Sequence, residues 1–199
     1  EIRFCDWSSD VCSSDLAREA PRGGLEAAHG LSGDFSNVLV FNSLSKRSNV
    51  PGLRSGFIAG DPVFIAAFSR FRNVAAPQMP LPVQHASAVL WGEETHVAAS
   101  RVLYAAKFAA AREILGGKLD FADPAGGFFL WPKVDHLGGG EAAAKTFWKG
   151  CGVKVLPGAY LAQTDSTGHN PGEGYVRIAL VDDLALTREA LERLASYPS

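Results

Sequence analysis

The sequence predicts an α/β protein in which strands and helices alternate, followed by a smaller α+β part. Apolar runs at 38–41 and 56–59 predict two buried strands on either side of a polar turn. A helical stretch at 94–115, ended by two glycines, is long enough to bridge two domains. A strand-like run at 175–181 then precedes a closing helix, which favours antiparallel strands packed with helices in the second half.

Capping and turn residues predict the other elements. Asp61 as N-cap and Pro62 at the first helical position predict a helix start. Apolar residues recur in this helix at helical spacing, at Phe64, Ala67, Phe68 and Phe71. The remaining predicted elements are a weak helix within 17–31, helices at 81–91, 141–149 and 184–196, and strands at 127–131 and 153–156.

Composition and charge exclude several classes of protein. The chain has 199 residues, of which 47% are hydrophobic and 20% charged, as in ordinary globular proteins. A net charge of −2 favours neither nucleic acid nor an anionic membrane as a partner. No apolar run has the length of a membrane-spanning helix, and no export signal is visible. We therefore expect partners that are small molecules.

Cysteine and histidine residues form no recognisable site in the sequence. Cys5, Cys12 and Cys151 are an odd number at wide spacing, which predicts free thiols in a reducing compartment and a cytoplasmic location. The five histidines do not pair with one another, or with cysteines or carboxylates, at ligand spacing, so we expect no metal site.

The first sixteen residues resemble foreign sequence. Ser-Ser-Asp occurs at 8–10 and again at 13–15, without the periodicity of a helix or a strand. The segment is similar to translated adapter read-through, and the alternative is a poorly ordered terminus. If residues 1–16 are foreign, we expect this chain to be the C-terminal part of a longer protein.

Lys46 has the most definite chemistry in the chain. It follows a strand-like run, lies in a polar turn with Ser43 and Ser45, and is followed eight positions later by Arg54, across a Pro-Gly turn. An unprotonated lysine amine forms a Schiff base with an aldehyde, while hydroxyls and an arginine fork suit a phosphate. These residues predict a site for a phosphorylated aldehyde. For the SxSK spacing alone, a solvated loop is the alternative.

The stretch NSLSKRSNVPGLRSGF at 42–57 resembles the lysine motif of class I/II aminotransferases, the fold-type I enzymes that use pyridoxal 5′-phosphate. The amino-acid sequence of this stretch is most similar to that of the succinyldiaminopimelate transaminase group of lysine biosynthesis. The resemblance implies that Lys46 binds the cofactor covalently. It also implies that Ser43, Ser45 and Arg54 hold the cofactor phosphate.

The resemblance extends from about position 21 to the C-terminus. It includes GGFFLW at 126–131, VLPGAY at 155–160 and GYVRIALV at 174–181. Within the last motif Arg177 stands among apolar residues of a predicted strand, where a guanidinium is costly unless it meets an anion. A strand-end arginine that reaches water or an internal carboxylate is the alternative. The resemblance implies that Arg177 binds the substrate α-carboxylate.

Several residues that the family requires are missing from this chain. A glycine-rich phosphate loop, a ring-stacking aromatic residue and an asparagine near the cofactor O3′ belong upstream. The family also has an aspartate for the pyridine nitrogen, followed three positions later by a tyrosine. Asp10 stands at a matching distance before Lys46, but position 13 is Ser13 and both lie in the suspect segment. We therefore expect the chain alone to be inactive and to bind the cofactor weakly or not at all.

The resemblance implies transamination between an amino acid and a 2-oxo acid, in a homodimer with its active sites at the subunit interface. It predicts that residues 17–100 are the end of the large cofactor-binding domain and residues 101–199 the small domain. Two alternatives remain open. Lys46 and Arg54 would equally serve a β-elimination or a decarboxylation, and the chain could be a non-catalytic fragment.

Overall fold

A computed structural model describes residues 22–76, 78–124 and 126–197, together with the backbone of a short strand at Arg3–Phe4. Contacts divide the chain into two compact units, a first unit up to Arg101 and a second unit from Val102 onward. Among the described residues, no helix is both long and apolar enough to cross a membrane.

The described residues form a mixture of helices and strands, as expected for the predicted α/β class. The helices are α1 (Gly24–Ser32), α2 (Leu44–Arg47), α3 (Pro62–Ala75), α4 (Leu81–Trp91), α5 (Thr95–Leu115), α6 (Gly140–Cys151) and α7 (Leu184–Ala195). The strands are β1 (Arg3–Phe4), β2 (Val38–Ser43), β3 (Gly56–Gly60), β4 (Phe129–Leu130), β5 (Leu156–Pro157) and β6 (Val176–Ala179). Short 3₁₀ segments lie at Pro51–Leu53, Asp135–Leu137 and Gly158–Leu161.

The first unit contains a sheet with the order β1-β2-β3. Strand β1 pairs with β2 in parallel, and β3 pairs with β2 antiparallel, from Leu39 opposite Gly60 to Ser43 opposite Gly56. Leu39 on β2 is fully buried. The strand therefore lies between two neighbours, and its C-terminal end leads directly into the turn that carries Lys46.

Helix α3 begins where its cap residue predicts. The carboxylate of Asp61 accepts hydrogen bonds from the backbone N–H of Val63 at 2.8 Å and of Phe64 at 3.2 Å. These bonds satisfy N–H groups that a helix start leaves without partners. The aromatic residues recur as predicted, and the rings of Phe64 and Phe68 stack 6.1 Å apart. No residue of α3 is buried among the described parts of the chain.

The second unit contains an antiparallel sheet with the order β4-β6-β5, as the strand pattern predicted. The buried residues of β6 alternate with less buried ones, since Val176 and Ile178 enter the core. Helices α5, α6 and α7 cover this core, which includes Phe108, Leu115, Leu130, Phe147 and Leu191.

Three predicted strands are shorter in the structure or displaced. The strand predicted at 153–156 is wrong over its first three residues: the chain leaves α6 through Gly152, and the N–H of Val153 bonds to the carbonyl of Phe147. Pairing with β6 begins only at Leu156. Likewise only β4 of the run 127–131, and only β6 of the run 175–181, form strand, because their ladders are two and four residues long.

The predicted foreign or poorly ordered segment 1–16 lies largely outside the described residues. Its described part is β1, whose backbone pairs with β2 at Val38 and Leu39. Asp10, the candidate partner of the pyridine nitrogen, is not among the described residues.

Candidate active site

The turn that carries Lys46 is one short helix capped by its own serine. Ser43 is extended, and its side-chain oxygen accepts a hydrogen bond from the N–H of Ser45 at 3.2 Å. The capped helix, α2, has only four residues, of which Leu44 and Arg47 are buried. Lys46 is exposed between them. The lysine is therefore presented at the surface of the first unit by a turn whose other face is anchored.

The segment around Arg54 returns to this turn through backbone hydrogen bonds. The carbonyl of Ser55 accepts bonds from the N–H of Leu44 at 3.1 Å and from the hydroxyl of Ser43 at 3.2 Å. The strand pair then begins one residue later, with Gly56 opposite Ser43. This closure brings the backbone of Ser55, next to Arg54, against the start of α2, as the Pro-Gly turn predicted.

Gly56 explains part of the motif that the sequence left unassigned. A Cβ atom at this position would lie 2.5 Å from the carbonyl oxygen of Asn42. Such a separation is far below van der Waals contact, so a side chain would push β3 away from β2. Glycine at position 56 therefore permits the close approach that brings the Arg54 segment to the lysine turn.

Arg54 has an unusual backbone conformation. It ends the 3₁₀ segment with φ of 51° and ψ of 38°, the left-handed region that glycine adopts most easily. For an arginine this conformation costs about 1–2 kcal/mol. Its side chain is exposed and donates one hydrogen bond, to the carbonyl of Pro51 at 3.2 Å. An arginine held at this cost is a functional candidate, because glycine would fit the backbone better.

The two candidate serines differ in their hydrogen bonds. The Ser43 hydroxyl donates to Ser55 and accepts from Ser45, so its proton is already in use within the turn. The Ser45 hydroxyl is half-buried and makes no hydrogen bond within the described residues. Ser45 therefore has the more available donor, while Ser43 shapes the turn.

Helix α4 is hydrogen-bonded to the segment that carries Lys46 and Arg54, and this contact was not predicted from the sequence. The buried hydroxyls of Ser87 and Ser55 are hydrogen-bonded at 2.7 Å. The buried guanidinium of Arg47 donates to the carbonyl of Leu90 at 2.6 Å. These pairs are 32 and 43 residues apart in sequence, so no local pattern points to them.

Arg177 belongs to the second unit and lies on β6. It is half-buried, and its guanidinium carbon lies 4.3 Å from the centre of the Phe129 ring on the neighbouring strand. Among the described residues of this unit, no carboxylate is within ion-pairing distance of Arg177. The cation–π contact holds the guanidinium on one face of the strand while leaving its hydrogen-bond donors available for an anion.

Among the described residues, no group of histidines, cysteines and carboxylates has the geometry of a metal site. Metal ligands were not predicted from the sequence.

Comparison with known proteins supports the family that these motifs resemble. The sequence model of the family "Aminotransferase class I and II" matches residues 10–194. The chain belongs to this family. An aminotransferase of Neisseria meningitidis has a solved structure with a TM-score of 0.86 and 41% identity, covering 96% of this chain and 47% of that one. The solved structure of the aminotransferase AspB of Helicobacter pylori has a TM-score of 0.76 and 36% identity, covering 94% of this chain and 47% of that one. These neighbours confirm the predicted α/β class and the fold-type I aminotransferase fold.

Relatives known by sequence are also aminotransferases. The 4-dedimethylamino-4-oxo-anhydrotetracycline transaminase of Streptomyces rimosus is 34% identical, over 74% of this chain and 38% of its own length. The LL-diaminopimelate aminotransferase of Natranaerobius thermophilus is 28% identical, over 80% of this chain and 40% of its own length. This chain thus spans about two fifths of these relatives.

Aminotransferases of this class use pyridoxal 5′-phosphate, and the described residues of the first unit fit part of that group. The loop presents an exposed amine, at Lys46, and an exposed guanidinium, at Arg54. It also holds the hydroxyl of Ser45. An amine that reacts with an aldehyde and cationic or hydroxyl donors that suit a phosphate are the functional groups this cofactor needs.

Proposed function

We propose that this chain is the cofactor-lysine and substrate-arginine part of a pyridoxal-phosphate-dependent aminotransferase. The observation that carries the proposal is the double hydrogen bond of the Ser55 carbonyl, to Leu44 and Ser43. It joins the segments of Lys46 and Arg54 within a chain that belongs to the class I and II family.

Each residue of the loop has a separate role in this proposal. Lys46 would bind the cofactor covalently, and Arg54 and Ser45 would hold its phosphate. Ser43 would fix the turn through its cap of Ser45, and it would bind the phosphate by turning its hydroxyl proton from the Ser55 carbonyl to a phosphate oxygen. Bound pyridoxal 5′-phosphate supplies an aldehyde and an electron-withdrawing ring. The Lys46 amine, when it is free, would remove the proton from the substrate Cα as a general base.

Arg177 is proposed to bind the α-carboxylate of the amino acid and of the 2-oxo acid. A guanidinium forms two parallel hydrogen bonds with a carboxylate, and this geometry orients the Cα–H bond as well as holding the substrate. The ring of Phe129 supports one face of the guanidinium and leaves its N–H edge available. Residues 17–100 and 101–199 are proposed as the end of the large domain and the small domain, in a homodimer.

The proposed substrate is an amino acid of the diaminopimelate type, most specifically N-succinyl-diaminopimelate in lysine biosynthesis. The amino-acid sequence of the 42–57 motif and the LL-diaminopimelate aminotransferases among the relatives support this choice. The proposal is tested by expressing the protein with its upstream genomic sequence. Activity is then compared on N-succinyl-LL-diaminopimelate, LL-diaminopimelate and aspartate, each with 2-oxoglutarate. Preference for aspartate would contradict the substrate while leaving the aminotransferase proposal standing.

A reaction other than transamination is distinguished in the same assay. Transamination converts 2-oxoglutarate into glutamate in step with loss of the amino donor. A β-elimination, on a donor with a leaving group at Cβ, would release that group, ammonia and a 2-oxo acid. A decarboxylation would release carbon dioxide and an amine, and neither reaction would form glutamate. If none of these reactions is detected, the remaining interpretation is that the chain is a non-catalytic fragment.

A further inference from the structure

We propose that Arg47 is the positioning residue for Lys46, and that it acts by holding helix α2 against the segment 90–94, which ends α4 and leads into α5. The proposal rests on the proposed function, because it assigns a task to the residue beside the cofactor lysine. It begins from the length of α2, which has four residues. A single helical turn is not stable in isolation, so contacts from elsewhere must hold it.

The contacts of Arg47 outside its own turn lie in the segment 90–94. Its side chain is 6% exposed. One guanidinium nitrogen donates to the carbonyl of Leu90 at 2.6 Å, and the other donates to the carbonyl of Glu93 at 3.3 Å. The second nitrogen also forms an ion pair with the carboxylate of Glu94. The guanidinium carbon lies 5.2 Å from the centre of the Trp91 ring.

These contacts use the particular shape of an arginine. A planar fork is able to reach two carbonyls and a carboxylate at once, while a lysine amine has one nitrogen for the same three acceptors. Burying a guanidinium is expensive unless such partners are present, and an apolar residue would fill the same space without that expense. We therefore infer that the charge at position 47 serves to orient α2 more than to increase the free energy of unfolding.

The next residue, Ser48, is held by His96 at the start of α5, which is itself bonded to Glu93 of the segment 90–94. The buried hydroxyl of Ser48 lies 2.8 Å from a ring nitrogen of His96, and the other ring nitrogen bonds to the carboxylate of Glu93. Arg47 and Ser48 thus form two adjacent anchors that follow Lys46 directly. The lysine itself remains exposed, so its amine is presented by a backbone that is fixed from the opposite side.

A first test measures hydrogen exchange in the 199-residue chain as it stands. The amides of Ser48 and Val50 bond to the carbonyl of Leu44, at 3.0 and 3.4 Å, and report directly on α2. In Arg47→Met their exchange should accelerate about tenfold relative to the amides of β2, and Arg47→Lys should restore part of the protection. Val97→Ala removes part of a buried side chain on α5 and is the control for general destabilisation. Equal acceleration in α2 and β2 for Arg47→Met would overturn the proposal.

A second test measures the chemical reactivity of Lys46 itself. The protein expressed with its upstream genomic sequence is incubated with millimolar pyridoxal 5′-phosphate, reduced with borohydride and mapped by mass spectrometry, with exposed Lys145 as the internal reference. The ratio of Lys46 to Lys145 labelling should fall severalfold in Arg47→Met and recover in part in Arg47→Lys. An unchanged ratio would overturn the proposal.

The two tests separate failure of this proposal from failure of the proposed function. If Lys46 of the unaltered protein reacts no better than Lys145, the cofactor role of Lys46 is contradicted. The exchange measurement still decides in that case whether Arg47 holds α2. If both readouts change in Arg47→Met and recover in part in Arg47→Lys, Arg47 acts through the position of Lys46.

Discussion

The backbone N–H of Leu44 donates a 3.1 Å hydrogen bond to the carbonyl of Ser55, across eleven positions of the chain. This bond joins the start of the lysine turn to the residue that follows Arg54. It gives a physical reason for the spacing of the motif, because the Pro-Gly turn, the left-handed Arg54 and Gly56 are all needed to close it.

Replacing Gly56 should destabilise the closure directly. In Gly56→Ala the new Cβ would meet the Asn42 carbonyl at 2.5 Å, so we expect a loss of about 1–3 kcal/mol in the free energy of unfolding. Urea unfolding measures this loss. Gly52→Ala is the matched control, because its Cβ would have no atom within 4 Å, and it should change stability by less than about 0.5 kcal/mol. Equal effects at the two positions would contradict the close approach.

Arg54→Gly should separate backbone strain from cofactor binding. Glycine relieves the left-handed conformation but adds freedom to the unfolded chain, so the free energy of unfolding should change by less than about 1 kcal/mol. The same change removes a charged donor. In the protein expressed with its upstream sequence, affinity for pyridoxal 5′-phosphate should therefore fall tenfold or more, measured by equilibrium titration. The affinity of Arg54→Lys for the cofactor should lie between that of the unaltered protein and that of Arg54→Gly. An undiminished affinity in Arg54→Gly would contradict the proposed role of Arg54 in binding the phosphate.

Glu93 predicts a dependence of stability on acid. Its pKa is lowered from 4.5 to about 2, first by the hydrogen bond from His96 and then by the bonds from Thr95. Because the folded-state pKa is depressed, the stabilisation is present above pH 4.5 and is lost as the pH falls toward 2. The unfolding free energies of the unaltered chain and of Glu93→Gln should therefore converge over that interval. In the His96→Gln background, the difference in unfolding free energy between Glu93 and Glu93→Gln should be much smaller. If the unfolding free energies of the unaltered chain and Glu93→Gln differed by the same amount at every pH, the stabilising bond between Glu93 and His96 would be refuted.

Lys107 predicts a dependence of the same sign, but at alkaline pH, in the second unit. Its amine is buried, donates to the carbonyl of Leu180 at 3.0 Å and lies 4.7 Å from the centre of the Tyr104 ring. Burial lowers its pKa from 10.5, against the attraction of Asp182 and Asp183. The unfolded chain therefore keeps this proton to higher pH than the folded one. Relative to Lys107→Met, the unaltered chain should gain stability as the pH rises toward 10.5, and a falling difference would contradict this assignment.

The sequence predicted the parts of the fold that local chemistry decides. Asp61 begins α3 because its carboxylate bonds to N–H groups only two and three residues away. The length of α5 and the strand before Lys46 were likewise predicted from periodicity. The strand expected at 153–156 was wrong, since pairing with β6 starts only at Leu156. Apolar residues alone do not reveal where a ladder begins.

The candidate site was predicted only where neighbouring residues form a motif. Ser43, Ser45, Lys46 and Arg54 fall within twelve positions and were found together. Arg47 was missed because its partners Leu90 and Glu94 are 43 and 47 residues away. A basic residue beside a lysine is typical of a solvated turn, and its burial depends on helices that the motif does not contain.

The most direct test of the central claim is the identity of the lysine that binds pyridoxal 5′-phosphate. The protein expressed with its upstream genomic sequence is saturated with the cofactor, reduced with borohydride, digested and mapped by mass spectrometry. We predict one pyridoxyl group per chain, on Lys46, and loss of both the label and the transamination in Lys46→Ala. A label on another lysine, or an undiminished rate in Lys46→Ala, would contradict the claim.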